Sequence, residues 1–196
     1  MAYQTENEKK ALLVLFKDFT SYYNANTLSK LLNISRIGCM KLLKKLKEQN
    51  ILLSKKIGKS IVYRPNMEND YAMDILSFCL AEEANNFKRW KDEFKPLFEE
   101  DRIILLYGST IKDYSKARDI DLMIIRSAND SGKIHKTINE KQQSLPKKLH
   151  LIDLSPEEFL KNIEKKQEAI IDIVKNAVVL SGNVKYLELL KNVTSF

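Results

Sequence analysis

The stretch LLYGSTIKDYSKARDIDLMII (105–125) decides the fold of the second half of the chain. An apolar strand stops at Gly108-Ser109, nine mostly polar residues follow, and an apolar strand restarts with two aspartates one residue apart. Side chains alternate along a strand, so Asp119 and Asp121 share one face and Ile120 takes the other. Carboxylates this close repel each other, and a divalent cation is one group that offsets the cost.

The composition is that of a globular chain. Its 196 residues are 44% hydrophobic and 30% charged, which excludes a disordered polypeptide. No apolar run reaches the ~20 residues of a membrane span, and the polar start MAYQTENEKK (1–10) lacks the apolar core of a signal peptide. We therefore expect a cytoplasmic protein without a membrane partner. Cys39 and Cys79 lack metal-ligand spacing and are predicted to be buried free thiols.

The positive charge is concentrated at the N-terminal end. The net charge of the chain is +7, yet residues 1–66 hold 13 Lys/Arg against 4 Asp/Glu, and the remainder is slightly acidic. A basic module joined to a near-neutral one indicates a polyanion as partner of the first. Lysine-rich solvated surface is the alternative that charge alone leaves open.

Residues 1–66 show the pattern of three helices and a hairpin. Apolar spacing predicts helices over 6–19, 27–33 (capped by Thr27 or Asn26) and 35–49 (capped by Ser35). The segment ILLSKKIGKSIVYRPN (51–66) then predicts strand, turn and strand, with Gly58 free to adopt positive φ in the turn.

This arrangement resembles the winged-helix DNA-binding domains of bacterial and archaeal regulators. The resemblance implies that helix 35–49 enters the major groove of duplex DNA and that the hairpin, the wing, touches backbone or minor groove. The residues expected to contact DNA are Ser35, Arg36, Lys41, Lys44, Lys45, Lys55, Lys56 and Lys59. A winged helix used only for protein contacts is the alternative.

Residues 67–100 are predicted to be a helical connector. Apolar side chains recur at spacings of three and four through 69–100, and Pro96 is expected to bend or break the helix. The helix either packs on its own domains or forms a homodimer through residues 70–95, because winged-helix regulators usually act as two-fold dimers.

Residues 101–196 are predicted to form a mixed sheet with flanking helices, which makes the whole chain α+β. RIILLY (102–107) reads as a buried strand, and Ser109 is expected to begin a helix whose first backbone N–H groups hold an anion. The strand DIDLMII (119–125) then adds two carboxylates. A phosphate cradle beside a metal site suits a nucleoside triphosphate with its magnesium.

The Gly-Ser, nine residues, Asp-Ile-Asp pattern resembles the signature of the polymerase-beta-type nucleotidyltransferases, especially the small archaeal and bacterial minimal nucleotidyltransferases, over about 87–190. The resemblance implies transfer of a nucleoside monophosphate from a triphosphate to a hydroxyl, with Mg²⁺. Gly108, Ser109 and Lys112 would hold the nucleotide, and Asp119 and Asp121 would ligate the metal.

The chain departs from that family at the third carboxylate, whose place His150 takes. Asp153 is nearby, but strand alternation puts it on the opposite face from His150. Three roles stay open for His150: a catalytic base, since histidine ordinarily titrates near neutral pH, a sign of weakened catalysis, or an edge-strand residue without a role.

The remaining segments complete the predicted domain. SANDSGKIHKT (127–137) is expected to be a polar loop, and Ser155 to cap a helix through a capping box. Further elements are predicted as a helix over 163–177, a strand over 178–182 and a helix over 183–192.

Two functions follow from the sequence. The first is a DNA-binding enzyme that transfers a nucleotide to an unknown acceptor, such as a protein, a small molecule or a nucleic-acid end. The second is a transcriptional regulator whose degenerate transferase domain only binds nucleotide or a partner.

Overall fold

The structure, a computed structural model, describes residues 4–127, 131–194 and 196. The chain is α+β, as predicted, and divides into two compact units. One unit comprises the described residues up to position 79 together with 190–194 and 196, and the other comprises 80–189. The division therefore falls within a helix of the predicted connector rather than at either of its ends.

The first unit begins with three helices followed by a hairpin. The helices are α1 (Glu6–Lys17), α2 (Ala25–Leu32) and α3 (Arg36–Glu48), and the hairpin consists of β1 (Leu52–Ile57) and β2 (Ser60–Pro65). Strands β1 and β2 pair antiparallel around a two-residue turn, in which Gly58 has φ +57°. This is the winged-helix architecture that the sequence predicted.

Side-chain caps determine where these helices begin. The Ser35 hydroxyl accepts a hydrogen bond from the Gly38 N–H (3.0 Å), so the predicted cap of α3 is confirmed. Helix α2 starts earlier than predicted, because Asn24 rather than Asn26 or Thr27 accepts the first N–H groups. The side chains of Cys39, Leu42, Leu43 and Leu46 form the buried stripe of α3.

The predicted connector is two helices and a 3₁₀ turn: α4 (Asp70–Asn85), α5 (Lys88–Phe94) and Lys95–Leu97. The break comes at Asn86-Phe87, before Pro96, which lies in the 3₁₀ turn. Trp90 and Phe94 are buried and belong to the apolar core of the second unit. Cys39 and Cys79 are buried and are not joined by a disulfide, as predicted.

A four-stranded mixed sheet forms the centre of the second unit. Its strands are β3 (Arg102–Tyr107), β4 (Asp119–Arg126), β5 (Lys148–Leu154) and β6 (Val178–Ser181), in the order β5-β4-β3-β6. Strand β4 runs antiparallel to β3 and parallel to β5. The helices of this half of the chain are α6 (Ser131–Ser144), α7 (Pro156–Glu164), α8 (Glu168–Asn176) and α9 (Asn183–Thr194).

Alternation along β4 places the aspartates. Ile120, Leu122 and Ile124 are fully buried in a core with Trp90 and Phe94. Met123 and Ile125, on the other face, are buried too, so only the first residues of β4 leave carboxylates partly open to solvent. Every helix among the described residues is too short or too polar to cross a membrane.

Three local predictions are wrong. Residues 131–137, expected in a loop, are the start of α6, which buries Ile134 and Ile138. This helix is part of the long connection that two parallel strands require. The predicted loop also includes residues 128–130, which the structure does not describe. The helix predicted over 163–177 is split, because Lys166 adopts φ +53° between α7 and α8. The helix expected after Ser109 is one 3₁₀ turn, Gly108–Ile111.

Candidate metal site and nucleic-acid surface

Two adjacent strands bring together two carboxylates and an imidazole. Asp121 on β4 lies directly opposite His150 on the parallel strand β5. The Nδ1 atom of His150 is 3.3 Å from Oδ2 of Asp119 and 3.5 Å from Oδ1 of Asp121. One potential ligand atom from each of the three residues lies within 4.8 Å of the others, and all three side chains are half-buried. This spacing suits a single cation held by three donors.

Gly108 leaves room for the Asp121 carboxylate. Its φ is +75°, and a Cβ built there would overlap Oδ2 of Asp121 and lie 3.0 Å from its Cγ. A side chain at this position is therefore disfavoured both by backbone conformation and by space. The close turn predicted from the sequence is present, and it brings the backbone of Gly108 into contact with the Asp121 carboxylate.

The residues after Gly108 form a short 3₁₀ helix instead of the predicted start of an α-helix. The 3₁₀ helix is four residues long, and the N–H groups of Lys112 and Asp113 both donate to the Ser109 carbonyl. The side chains of Ser109 and Lys112 are exposed. Thr110 ties this turn to β4, since its hydroxyl donates to the Asp119 carbonyl at 2.8 Å.

The pKa shifts at this site show that negative charge is poorly accommodated. Burial and then the charge of Asp119 raise the pKa of Asp121, and His150 offsets part of that rise. Burial, followed by the charges of Asp121 and Asp119, raises the pKa of Tyr107 to about 12. Tyr107 pairs with Asp121 across β3 and β4. A bound cation would stabilise the ionised carboxylates.

Lys147 holds the loop that leads into Asp119. Its ammonium group donates to the carbonyl of Tyr114 and to that of Ala117 (2.6 Å), and it lies 4.2 Å from the centroid of the Tyr114 ring. The Tyr114 ring meets the Trp90 ring edge-on at 5.1 Å. Sequence reasoning missed Lys147, because nothing in the sequence distinguishes it from the exposed Lys148 beside it.

Asp153 takes no part in this site. Its two carboxylate oxygens accept hydrogen bonds from the Arg126 guanidinium at 3.0 and 2.8 Å. Asp153 lies beside Ile124, further along β4 than the two aspartates. Both partners are largely buried, and their ion pair links β4 to β5. The β5 side chain beside Asp119 and Asp121 is therefore that of His150.

The predicted DNA contacts fall into two groups. Six cations are exposed, and we call them the basic face: Arg36, Lys41, Lys44, Lys55, Lys56 and Lys59. The other two are used within the fold. The Ser35 hydroxyl caps α3, and Lys45 pairs at 2.7 Å with Glu8, whose side chain is 5% exposed.

A shallow groove separates the start of α3 from the wing. Its lining includes Asn24, Arg36, Met40, Lys59 and Ile61. Helix and hairpin thus present cations on both sides of one groove, the arrangement expected of a surface that follows a phosphate backbone.

Comparisons with known proteins found solved structures of low similarity to this chain. Neither the protein-family models nor the curated proteins match the sequence. A crystal structure of the adhesin competence repressor AdcR from Streptococcus pyogenes is 19% identical, with a TM-score of 0.37 over 48% of this chain and 68% of that one. ZitR of Lactococcus lactis, a zinc-responsive MarR family member, is 17% identical, with a TM-score of 0.34 over 47% and 65% of the two chains. At these TM-scores neither family nor function is assigned.

Proposed function

We propose that the protein is a DNA-binding regulator whose winged helix binds duplex DNA. The observation that supports this proposal most is the basic face, six exposed cations distributed over α3 and the wing. Six of the 13 basic residues of 1–66 therefore lie on the two elements that winged helices use to contact DNA. Duplex binding at several salt concentrations tests the proposal, and absence of binding at low salt would overturn it.

We further propose that the second unit binds a divalent cation together with a nucleoside triphosphate. Asp119 and Asp121 would supply oxygen ligands and His150 a nitrogen, while the cation would bridge to phosphate oxygens. Mg²⁺ and Mn²⁺ suit carboxylate oxygen ligands, whereas imidazole suits metals such as Fe²⁺ or Zn²⁺. The two carboxylates thus suit the expected Mg²⁺ and also Mn²⁺, and the imidazole adds a nitrogen donor that transition metals accept.

Calorimetry with Mg²⁺ or Mn²⁺ and a non-hydrolysable triphosphate tests this site. Asp121→Asn removes a charged ligand and should abolish most of the binding. Asp101→Asn changes an exposed aspartate outside the cluster and serves as the matched control. Equal affinity in wild type and Asp121→Asn would mean that the carboxylate pair holds no metal.

Nucleotidyl transfer is the second candidate function, and the position of His150 favours it. The imidazole lies beside both carboxylates, and in this second candidate function it accepts the proton of an attacking hydroxyl instead of ligating the metal. Labelled ATP, CTP, GTP or UTP with metal and a cell lysate, which supplies protein and other acceptors, would reveal transfer. The rate of nucleotide transfer should then fall by a factor of about 10²–10⁴ in His150→Ala. His150→Asp should keep transfer activity with Mg²⁺. Transfer unchanged in His150→Ala would remove this residue from the reaction.

The homodimer predicted through residues 70–95 stays a prediction. The exposed rings of Tyr71 and Phe78 lie two turns apart on α4, which gives that helix an apolar outer stripe. Molar mass in solution tests it, and a monomer at all concentrations would exclude it.

A further inference from the structure

Two large apolar side chains lie on the solvent-facing side of α3. Ile37 is 68% exposed and Met40 is 51% exposed. They are three residues apart, so they are neighbours on the helix surface. The core of the first unit is contacted by a different stripe of α3, which includes Cys39 and Leu43. Ile37 and Met40 therefore lie outside the stripe that packs α3 against its own unit.

Cations surround this apolar pair. Arg36 and Lys41 flank it on α3, and Met40 shares the groove beside the wing with Arg36 and Lys59. The positive charge around the pair is complementary to a polyanion, whereas protein–protein interfaces are depleted in lysine relative to the rest of the surface. An apolar pair within a cationic surface indicates a ligand that combines phosphates with an apolar group.

Duplex DNA has such a group in the major groove. The C5-methyl of thymine is the apolar feature that the base edges present there, and apolar side chains contact it directly. We infer that Ile37 and Met40 select thymine-containing sites by packing against thymine methyls. This inference rests on the proposed DNA binding and adds the base that is recognised.

The helix geometry restricts the arrangement of the thymines. Side chains three residues apart on a helix are separated by about 5–6 Å at Cβ, and successive bases rise by about 3.4 Å along a strand. The two side chains therefore reach bases one or two steps apart. The preferred site contains two thymines within that distance, on the same or on opposite strands.

The test uses the full chain and duplexes selected from a randomised library. Each thymine of a selected site is replaced by deoxyuridine, which keeps the base pairing and removes only the methyl group. Loss of one buried methyl should weaken binding about fourfold. In the variants Ile37→Ala and Met40→Ala, at least one of these deoxyuridine effects should disappear, while the lysines preserve non-specific binding.

Leu31→Ala is the matched control. Leu31 is 57% exposed and lies on α2, away from the groove lining, so its truncation should leave the deoxyuridine effects unchanged. Deoxyuridine without effect in the wild type, or effects that persist in both α3 variants, would overturn the inference. If no duplex binds at low salt, the proposed function itself fails, which is a distinguishable result.

Discussion

Replacing Gly108 with alanine tests whether this glycine makes room for the Asp121 carboxylate in addition to allowing the turn. At φ +75° an alanine is strained by about 1–2 kcal/mol. Its Cβ would also overlap Oδ2 of Asp121, so the carboxylate must leave its present position beside His150. We therefore expect a small loss of stability and a fall in Mn²⁺ affinity of at least about tenfold, the loss typical of a displaced supporting group in a metal site.

Gly58→Ala provides the control for backbone strain. Gly58 has φ +57°, but a Cβ there meets nothing within 4 Å. Both variants should lose about 1–2 kcal/mol of unfolding free energy from backbone strain, and only Gly108→Ala should lose metal affinity. Thermal unfolding and a Mn²⁺ titration measure the two quantities. Wild-type Mn²⁺ affinity in Gly108→Ala would refute the assignment of Asp121 as a ligand held against Gly108.

Three further substitutions test individual contacts. Lys45→Met should destabilise the winged helix by about 1–3 kcal/mol, since it leaves Glu8 buried without its ammonium partner; it should weaken DNA binding less than Lys44→Met does. Lys147→Met should release the loop before Asp119 and weaken Mn²⁺ binding, while Lys148→Met, at an exposed position, should not; equal affinities would remove Lys147 from the site. Asp153→Asn should cost about 3 kcal/mol of unfolding free energy by uncoupling Arg126, and unchanged stability would contradict that estimate.

The parts of the fold that were predictable are those set by local chemistry. The Ser35 cap specifies where α3 begins, and the apolar stripe specifies which side of it is buried. Both signals lie in the local sequence, so prediction and structure agree. The alternation of Asp119, Ile120 and Asp121 likewise follows from strand geometry alone. The pairing of β4 with β5 then brings His150 to the carboxylates, a juxtaposition that the sequence could only suggest by resemblance.

The parts that were missed depend on tertiary context. Helix α6 carries few apolar residues, and its formation follows from the crossover that parallel β4 and β5 need. The role of Lys147 depends on two carbonyl groups thirty or more residues earlier in the chain. The exposure of Ile37, by contrast, follows from helical spacing, because Ile37 lies on the side of α3 opposite to the buried stripe.

The salt dependence of duplex binding by the full chain tests the central claim most directly. Each phosphate contact contributes about 0.9 to the slope of log K against log salt. Lys55, Lys56 and Lys59 are exposed on the wing and its turn, so changing all three to alanine should reduce the slope by about 2 to 3. No binding at low salt, or an identical slope in the triple variant, would contradict a winged helix that binds DNA through its basic face.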